Sequence, residues 1–434
     1  MSLVLDEIQQ SIVDSNASNI IVAAGAGSGK TRVLTERVKR LLREGVDPKS
    51  MVIITFTNMA ADELHERLEG IPGANKCFIG TIHAFAKKVL TLSGYNFDIY
   101  SEYYQTDYMK HLIQKYARYA TFNDYQQFLK GSKDVSKGKL DMDVLISRFH
   151  KKVIDELFLL LGDRAPYGSL QPFEYPMNVP KLCKVNNIIT FDQLIIESTK
   201  YFEKSNTRIQ HLFVDELQDI GYSEYNFLLE LKSDNNFFIG DDYQSIYGFK
   251  GGDVEIFLSM LQNPEWTSFV LKNNYRNGSN ILNVGNTVIS RAEGILNKPS
   301  VCCSGRTGKV TIKSKVGLPY FLKTIEDTHT SFGDWFFLTR TNKDIDKLAV
   351  LLKEYGIPFT CFKKSDLTKK QLDAAMKSDT VKLLTIHTSK GLEAENVLIY
   401  GDFPVAPRSN VKSDEIKVFY VGITRAKENL YIFN

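Results

Sequence analysis

Short apolar runs recur along the chain, and each is followed by a turn and then by residues with helical spacing. Residues 20–24 lead into a glycine-rich turn and a helix that starts near Lys30, and residues 52–56 lead into a helical stretch over 59–68. Alternating strand and helix patterns are typical of α/β proteins with parallel sheets. We therefore predict an α/β fold.

Two further apolar runs, residues 212–214 and 237–240, each end in a carboxylate, Asp215 and Asp241 respectively. In an open parallel sheet, ligands bind outside the carboxyl ends of the strands. The placement of these acids predicts a ligand site at that edge of the first sheet.

The middle of the chain has a different character. Between residues 94 and 188 it is rich in Tyr, Lys and Asp, and its spacing is helical over 107–120 and 140–161. A second α/β pattern begins near Trp266, with its first strand at 269–271. We predict a first α/β domain over 1–93 and 189–265, a mainly helical insertion over 94–188, and a second α/β domain over 266–434.

Composition excludes some classes of protein but does not identify a partner. The 54 Lys and Arg residues nearly balance the 51 Asp and Glu residues, and 43% of the chain is hydrophobic. This balance excludes a disordered chain, a collagen-like repeat and a charged tail protein. Binding to a phosphate backbone would need a locally basic groove, because the mean charge is close to neutral.

The five cysteines lack the CxxC spacing of zinc sites, and their sparse, odd-numbered distribution favours reduced thiols. The first residues lack the pattern of a signal peptide, and no apolar run approaches the length of a membrane span. We expect a cytoplasmic protein that does not associate with a membrane.

The stretch from Ala24 to Thr31, Ala-Gly-Ala-Gly-Ser-Gly-Lys-Thr, is a phosphate-binding loop between a predicted strand and a predicted helix. Glycines let backbone N–H groups surround phosphates, and the helix N-terminus favours negative charge. Lys30 would reach the β- and γ-phosphates, and the Thr31 hydroxyl would hold Mg²⁺. The candidate nucleotide-binding residues of this loop are Gly27, Ser28, Gly29, Lys30, Thr31 and Arg32.

A second acidic element indicates hydrolysis. Asp215 and Glu216 are adjacent after an apolar run, so Asp215 would bind Mg²⁺ through water and Glu216 would deprotonate the attacking water. Together with the upstream phosphate-binding loop, this pattern predicts a hydrolase that uses ATP and Mg²⁺.

From Leu5 to Leu430 the chain resembles superfamily 1 DNA helicases of the UvrD/Rep/PcrA type. The resemblance rests on ordered motifs in both α/β domains rather than on one match. They include Leu5-Asp-Glu-Ile-Gln9, Gly80-Thr-Ile-His-Ala-Phe, Gly240-Asp-Asp-Tyr-Gln-Ser-Ile-Tyr-Gly-Phe-Lys, Leu271-Lys-Asn-Asn-Tyr-Arg, Thr385-Ile-His-Thr-Ser-Lys-Gly-Leu-Glu and Phe419-Tyr-Val-Gly-Ile-Thr-Arg. The family implies two RecA-like motor domains with parallel sheets.

The resemblance also implies roles at the ATP site. Gln9 would read the adenine edge, Tyr275 would stack on adenine and Glu393 would bind the ribose. Gln244, Arg276 and Arg425 would contact the γ-phosphate. Guanidinium groups suit this task because they are planar and always charged.

The same motifs imply a path for single-stranded DNA. Base–aromatic stacking is worth about 1–3 kcal/mol per base whatever the sequence. The candidate DNA-contacting residues are Phe56, Thr57, Asn58, His83, Tyr247, Phe249, Lys250, Arg340 and His387. A buried core role for Phe56, and structural roles for His83 and His387, remain alternatives. Where the family usually has Trp-Arg this chain has Phe249-Lys250, which keeps a stacking ring and a positive charge but has a smaller ring face and no planar guanidinium group.

The implied function is a helicase that moves 3′ to 5′ on single-stranded DNA, with replication or repair proteins as partners and a monomeric core. A DNA-dependent ATPase that strips proteins, a binding module with an inactive nucleotide site and an RNA helicase are the alternatives. Intact Lys30, Glu216 and Arg425 argue against the binding module.

Two segments extend the prediction. The basic stretch over residues 130–139 is predicted to be a flexible loop that is either solvated or in contact with duplex phosphates.

Fuller family members insert a large subdomain between the Arg340 motif and Val381, where this chain has only a short stretch. We expect a motor core without the autoinhibition of that subdomain.

Overall fold

The computed structural model describes most of the chain in segments. The described residues are 4–95, 97–99, 113–114, 117–136, 142–161, 188–189, 191–204, 208–248, 251–325, 331–362, 374–403 and 413–434. Contacts divide the chain into one unit of residues 1–85 and 206–434 and a second unit of residues 86–205.

The strands of the described residues are numbered in chain order. They are β1 (Asn19–Ala24), β2 (Met51–Thr55), β3 (Phe78–Thr81), β4 (Asp98–Ile99), β5 (Ile188–Ile189), β6 (His211–Val214), β7 (Asn235–Gly240), β8 (Thr267–Leu271), β9 (Asn273–Asn274), β10 (Val301–Cys302), β11 (Lys309–Lys313), β12 (Trp335–Thr339), β13 (Phe359–Phe362), β14 (Val381–Thr385), β15 (Ala394–Tyr400) and β16 (Ala426–Phe433).

The α-helices of the described residues connect these strands. They span Glu7–Asp14, Lys30–Arg43, Asn58–Leu68, Ile82–Leu92, Phe122–Ser136, Met142–Ser147, Lys151–Leu161, Phe191–Lys204, Tyr222–Glu230, Val254–Gln262, Ser279–Ile289, Leu318–Lys323, Asn342–Glu354 and Ser413–Ile423. Within these described helices, none combines the length and the apolar character needed to cross a bilayer.

Two six-stranded sheets form the larger unit, and every strand pair in both sheets is parallel. The first sheet has the order β3-β2-β6-β7-β1-β8, and the second has the order β11-β16-β15-β12-β14-β13. The α/β prediction with parallel sheets is confirmed.

The strands β1, β2 and β12 are buried because their residues are apolar at nearly every position, as expected where helices cover both faces of a sheet. In the first sheet Val22, Ile53 and Ile239 are fully buried in one core cluster. In the second, Trp335 and Phe337 lie in a cluster with Leu348 of the helix Asn342–Glu354.

The prediction that the strand at 269–271 belongs to the second α/β domain is wrong. β8 pairs with β1 in the first sheet, with Phe269 opposite Val22. The backbone N–H of Gly25 also donates to Leu271 O over 3.0 Å. Local pattern cannot assign a strand to a sheet, because pairing depends on residues far away in the chain. The other predicted domain boundaries stay predictions.

The smaller unit is mainly helical around a core that includes Phe128, Leu145 and Leu157. The predicted helix over 140–161 is interrupted, since Met142–Ser147 and Lys151–Leu161 are separate helices. Most of the helical prediction over 107–120 falls on residues outside those described.

The prediction of a flexible loop at residues 130–139 is wrong for its first part, because the helix Phe122–Ser136 continues through Lys130 to its end. Residues 137–139 lie outside the described residues. Burial of Tyr125 and Phe128 on one face stabilises the helix despite the glycine and serine that favoured a loop.

We predict that Lys133→Pro destabilises the smaller unit by about 3 kcal/mol, because proline removes a helical hydrogen bond and clashes with the preceding turn. Native-state hydrogen exchange of amides in Phe122–Ser136 measures this. Lys133→Ala, which removes the same charge and keeps the helix, serves as the control. Unchanged exchange in the proline variant would instead indicate a loop.

Candidate functional site

The phosphate-binding loop lies between β1 and the helix Lys30–Arg43, where the sequence places it. Gly27 and Gly29 have φ angles of 63° and 84°, which only glycine adopts without strain. The Ser28 hydroxyl donates to Gly25 O over 2.7 Å and closes the loop on itself. Thr31 and Arg32 occupy the first turn of the helix, where the dipole favours an anion.

Residues from distant parts of the chain fix the loop carbonyls. Gln9 Nε2 donates to Ser28 O over 2.9 Å, Asn274 Nδ2 donates to Ala26 O over 2.7 Å, and the Tyr275 N–H donates to Gly27 O over 2.9 Å. These contacts give each of the three loop carbonyls a hydrogen-bond donor from a distant part of the chain.

Lys30 carries a buried charge with an incomplete set of partners. Its Nζ is buried and makes no hydrogen bond to any described residue, although Glu216 Oε1 lies 3.4 Å away. A buried ammonium without hydrogen bonds is costly, and a phosphate oxygen would satisfy it. The site therefore fits a nucleotide phosphate.

Asp215 and Glu216 follow β6 as predicted. The Asp215 N–H donates to Ile54 O over 2.8 Å, and its carboxylate accepts from the Glu216 N–H over 2.9 Å. Glu216 has a φ of 56°, a left-handed conformation that is rare for a non-glycine residue and often marks a functional site.

Burial and neighbouring charges shift the pKa values of the Asp215 and Glu216 carboxyl groups in opposite directions. Burial raises the pKa of Asp215 above its usual value, and the neighbouring Glu216 charge adds to the rise. Burial opposes ionisation of Glu216 too, but the Lys30 and Lys390 ammonium groups outweigh it and hold its pKa below the usual range. Glu216 is therefore the ionised member and can accept a proton.

The donor set fits Mg²⁺ bound together with a nucleotide. No described group of three or more His, Cys, Asp or Glu side chains could hold a metal ion without further ligands. Mg²⁺ usually takes one or two protein oxygens and completes its shell with water and phosphate. Thr31 is the residue that would supply a hydroxyl oxygen, and Asp215 would bind the ion through water.

The second sheet contributes charged groups to the same region. Arg425 is buried, and its Nη2 donates to Gln244 Oε1 over 2.8 Å. Arg276 Nε donates to Glu393 Oε2 over 2.6 Å, and Lys427 Nζ also lies 3.0 Å from Glu393. The structure thus pairs Gln244 with Arg425 and Arg276 with Glu393, as members of one site.

The predicted adenine-side residues are also close together. Gln9 accepts from the Asp6 N–H through Oε1 over 3.1 Å, so its amide oxygen and nitrogen both have partners within the chain. The Tyr275 hydroxyl donates to Asp6 Oδ2 over 2.5 Å, while the residue as a whole is 40% exposed. Burial and the Asp6 carboxylate raise the Tyr275 pKa to about 12.

The predicted DNA-contacting residues fall into separate groups. Phe56 and Tyr247 stack with ring centres 5.1 Å apart, and the Tyr247 hydroxyl donates to His387 O over 3.2 Å. His83 Nδ1 lies 3.9 Å from Glu224 Oε1, and Arg340 forms a two-pronged ion pair with Glu415 at 2.8 and 2.9 Å. Phe56 is only half buried, so it is not a core aromatic.

Two more of these residues shape the turn after β2. The Thr57 hydroxyl accepts from the Ala60 N–H over 3.1 Å and caps the helix that Asn58 begins. Phe249 and Lys250 lie outside the described residues.

The sequence did not single out several charged residues that complete the site. Lys390 Nζ pairs with Asp219, lies 3.5 Å from Glu216 Oε2 and donates to Gln244 O over 3.0 Å. Burial raises the Asp219 pKa to about 6. Lys390 stands inside the motif that begins at Thr385, and Asp219 follows the acid pair Asp215 and Glu216 by three residues, so a count of charges in and beside the motifs would have found both. Lys298 stands outside every motif.

Two parallel sheets, a phosphate-binding loop and paired acids after β6 define a P-loop protein with two RecA-like domains. The UvrD/REP helicase N-terminal domain matches residues 5–265, and the UvrD-like helicase C-terminal domain matches residues 362–434. The chain belongs to the UvrD/REP helicase family.

Similar proteins carry helicase names. The chain is 28% identical to a probable DNA helicase of Mycoplasma pneumoniae, over 99% of this chain and 83% of that protein. It is 26% identical to the ATP-dependent DNA helicase Rep of Buchnera aphidicola, over 82% of this chain and 55% of Rep. It is 30% identical to the ATP-dependent DNA helicase PcrA of Bacillus subtilis, over 66% of this chain and 39% of PcrA. The chain spans about half the length, or less, of the Rep and PcrA relatives.

We predict that Gly27→Ala weakens nucleotide binding about tenfold or more, because the new Cβ would lie 2.7 Å from Arg276 Cβ and 2.9 Å from Asn274 Nδ2. Titration with a fluorescent ADP analogue measures the affinity.

Gly45→Ala is the matched control. Its φ of 87° imposes comparable backbone strain, but nothing lies within 4 Å of the added Cβ. Equal affinities for the two variants would show that the contacts of the added Cβ with Arg276 and Asn274 do not affect nucleotide binding.

Proposed function

We propose that this protein is an ATP-dependent DNA helicase that moves 3′ to 5′ on single-stranded DNA and unwinds duplexes at junctions. Its family membership and the helicase names of its relatives support ATP use and a DNA substrate. We further propose the three-part division, with two motor domains and a helical insertion, and contact with replication or repair proteins.

One observation carries the proposal: catalytic groups from both sheets converge on one place. Lys30 and Glu216 lie at the carboxyl ends of β1 and β6 in the first sheet. Arg425, which precedes β16 of the second sheet, reaches Gln244 of the first-sheet side. A γ-phosphate in this position would contact both sheets at once.

The residues suggest a route for hydrolysis. Lys30 and the two arginines, Arg276 and Arg425, would neutralise charge on the phosphoryl group as it leaves. Glu216, kept ionised by its cationic neighbours, would accept the proton of the attacking water. Mg²⁺ held by Thr31 and Asp215 would supply further charge neutralisation.

Hydrolysis would become movement through contacts that exist only when the γ-phosphate is present. Arg425 and Arg276 would lose their anionic partner when phosphate leaves, so closure of the two sheets would become less favourable. Alternating closure, with alternating grip on a strand near Phe56 and Tyr247, would produce stepping.

We predict that Glu216→Gln lowers DNA-stimulated ATP turnover by about 10²- to 10⁴-fold, because the amide cannot accept the proton. Affinity for the ADP analogue should change little. Glu265→Gln, at an exposed carboxylate outside the motifs, is the control and should keep wild-type turnover. Full turnover in Glu216→Gln would exclude Glu216 as the base.

Strand displacement on 3′-tailed and 5′-tailed duplexes tests polarity and unwinding together. We expect ATP-dependent displacement of the 3′-tailed substrate only. DNA-stimulated hydrolysis without displacement of either substrate would favour a translocase that strips proteins. Greater stimulation by RNA than by DNA would favour an RNA helicase.

We predict that Phe56→Ala weakens binding of single-stranded DNA by about 1–3 kcal/mol, because the stacked pair with Tyr247 would lose one platform. Fluorescence anisotropy of a labelled oligonucleotide measures it. Tyr320→Ala, at an aromatic that is 69% exposed and outside the motifs, serves as the control. Equal binding by both variants would remove Phe56 from the proposed strand path.

A further inference from the structure

A buried group of charges surrounds Lys298, which follows the helix Ser279–Ile289. Lys298 is fully buried. Its Nζ lies 2.6 Å from Asp241 Oδ1 and 3.1 Å from Asp242 Oδ1, both directly after β7. The ammonium also lies 3.5 Å from the centre of the Tyr243 ring, a favourable cation–π contact.

The backbone around Lys298 is fixed as well. The Tyr243 hydroxyl accepts from the Lys298 N–H over 2.9 Å and donates to Leu296 O over 2.8 Å. The Leu296 N–H in turn donates to Asp242 Oδ2 over 2.6 Å. The ammonium group and the backbone N–H of Lys298 are therefore both held against the segment that carries Gln244.

Asp241 connects this group to the candidate catalytic residues. One carboxylate oxygen accepts from Lys298, and the other accepts from Gln244 Nε2 over 2.6 Å. An ionised carboxylate can only accept, so it selects the nitrogen end of the Gln244 amide. The oxygen end then faces Arg425, whose Nη2 donates to it over 2.8 Å.

Removal of Lys298 would undo this selection. Asp241 and Asp242 would become adjacent buried carboxylates without their cation, and their repulsion would displace Asp241 Oδ2 from Gln244 Nε2. Without that acceptor, the Gln244 amide could turn. Its nitrogen end would then face the Arg425 guanidinium, and two donors would oppose each other.

We propose that Lys298 is a positioning residue for ATP hydrolysis: its ion pair anchors Asp241 against Gln244 Nε2, and this contact holds the Gln244 amide oxygen towards Arg425. This inference rests on the proposed ATPase function. The competing explanation is that Lys298 only compensates buried charge and stabilises the fold.

The test is the DNA-stimulated ATPase of the full chain carrying Lys298→Met, which removes the charge and keeps a side chain of similar length. We expect kcat to fall about 10- to 100-fold, as for other supporting groups behind a reacting residue. The KM for ATP and the affinity for the ADP analogue should change less than about threefold, because binding of the ground state does not need the oriented amide.

A double-mutant cycle separates positioning from simple stabilisation. If Lys298 acts through Gln244, Lys298→Met should cause no further loss of kcat in a Gln244→Ala background. A loss that multiplies the Gln244→Ala effect would overturn the proposal.

Lys382→Met is the matched control, since Lys382 is equally buried but donates to the backbone carbonyls of Ser378 and Thr380. It should lower the melting temperature without the selective loss of kcat. An equal loss of kcat in this variant would assign the effect to destabilisation and overturn the proposal.

Tyr243→Phe decides the question if Lys298→Met does not fold, because it frees the Lys298 backbone without removing a charge. We expect kcat to fall about 2- to 10-fold, because the variant loses the hydrogen bonds of the hydroxyl to the Lys298 N–H and to Leu296 O, and to fall no further when Gln244 is alanine. An unchanged kcat in this variant would overturn the proposal.

Measurements on the wild-type protein distinguish failure of the proposed function from failure of the positioning role alone. If the wild type shows no DNA-stimulated ATPase, the proposed function fails. If it does and the variants at Lys298 and Tyr243 match it, only the positioning role fails.

Discussion

Charge buried between the two sheets must be neutralised locally, and the rest of the structure depends on this constraint. Lys30 faces Glu216, Lys390 faces Asp219, and Lys298 faces Asp241. Breaking one member of a buried pair leaves an uncompensated charge, which costs about 3–5 kcal/mol. A ligand of opposite charge acts on the same groups, so the arrangement of the sheets is sensitive to what lies between them.

The apolar strands make this concentration of charge possible. Parallel pairing brings the carboxyl ends of β1, β6 and β7 to one edge, so residues distant in the chain meet there. The same pairing brings β8 beside β1, and the chain that follows it delivers Asn274, Tyr275 and Arg276 to the phosphate-binding loop. Burial of the strands is therefore what positions the polar site.

Much of the site could be predicted because its chemistry needs particular residues close together in sequence. The phosphate-binding loop requires glycines beside Lys30, and the acid pair requires Asp215 and Glu216 at the end of one strand. Residues that only position other side chains leave a weaker signal in the sequence. Lys298 has no motif around it, because its partners Asp241 and Asp242 come from a distant strand end. The loop predicted at Lys130 failed for a related reason, since packing of Phe128 overrides local propensity.

The sequence by itself determined the α/β class, the order of the motifs and the candidate residues for phosphate binding and proton transfer. Periodicity and motif spacing are local properties, and the chemistry of phosphate binding restricts them strongly. Only the tertiary structure decided which sheet receives Phe269, which charges are paired and which way the Gln244 amide faces. Those choices depend on burial and on distances between residues far apart in the chain, and no local pattern contains them.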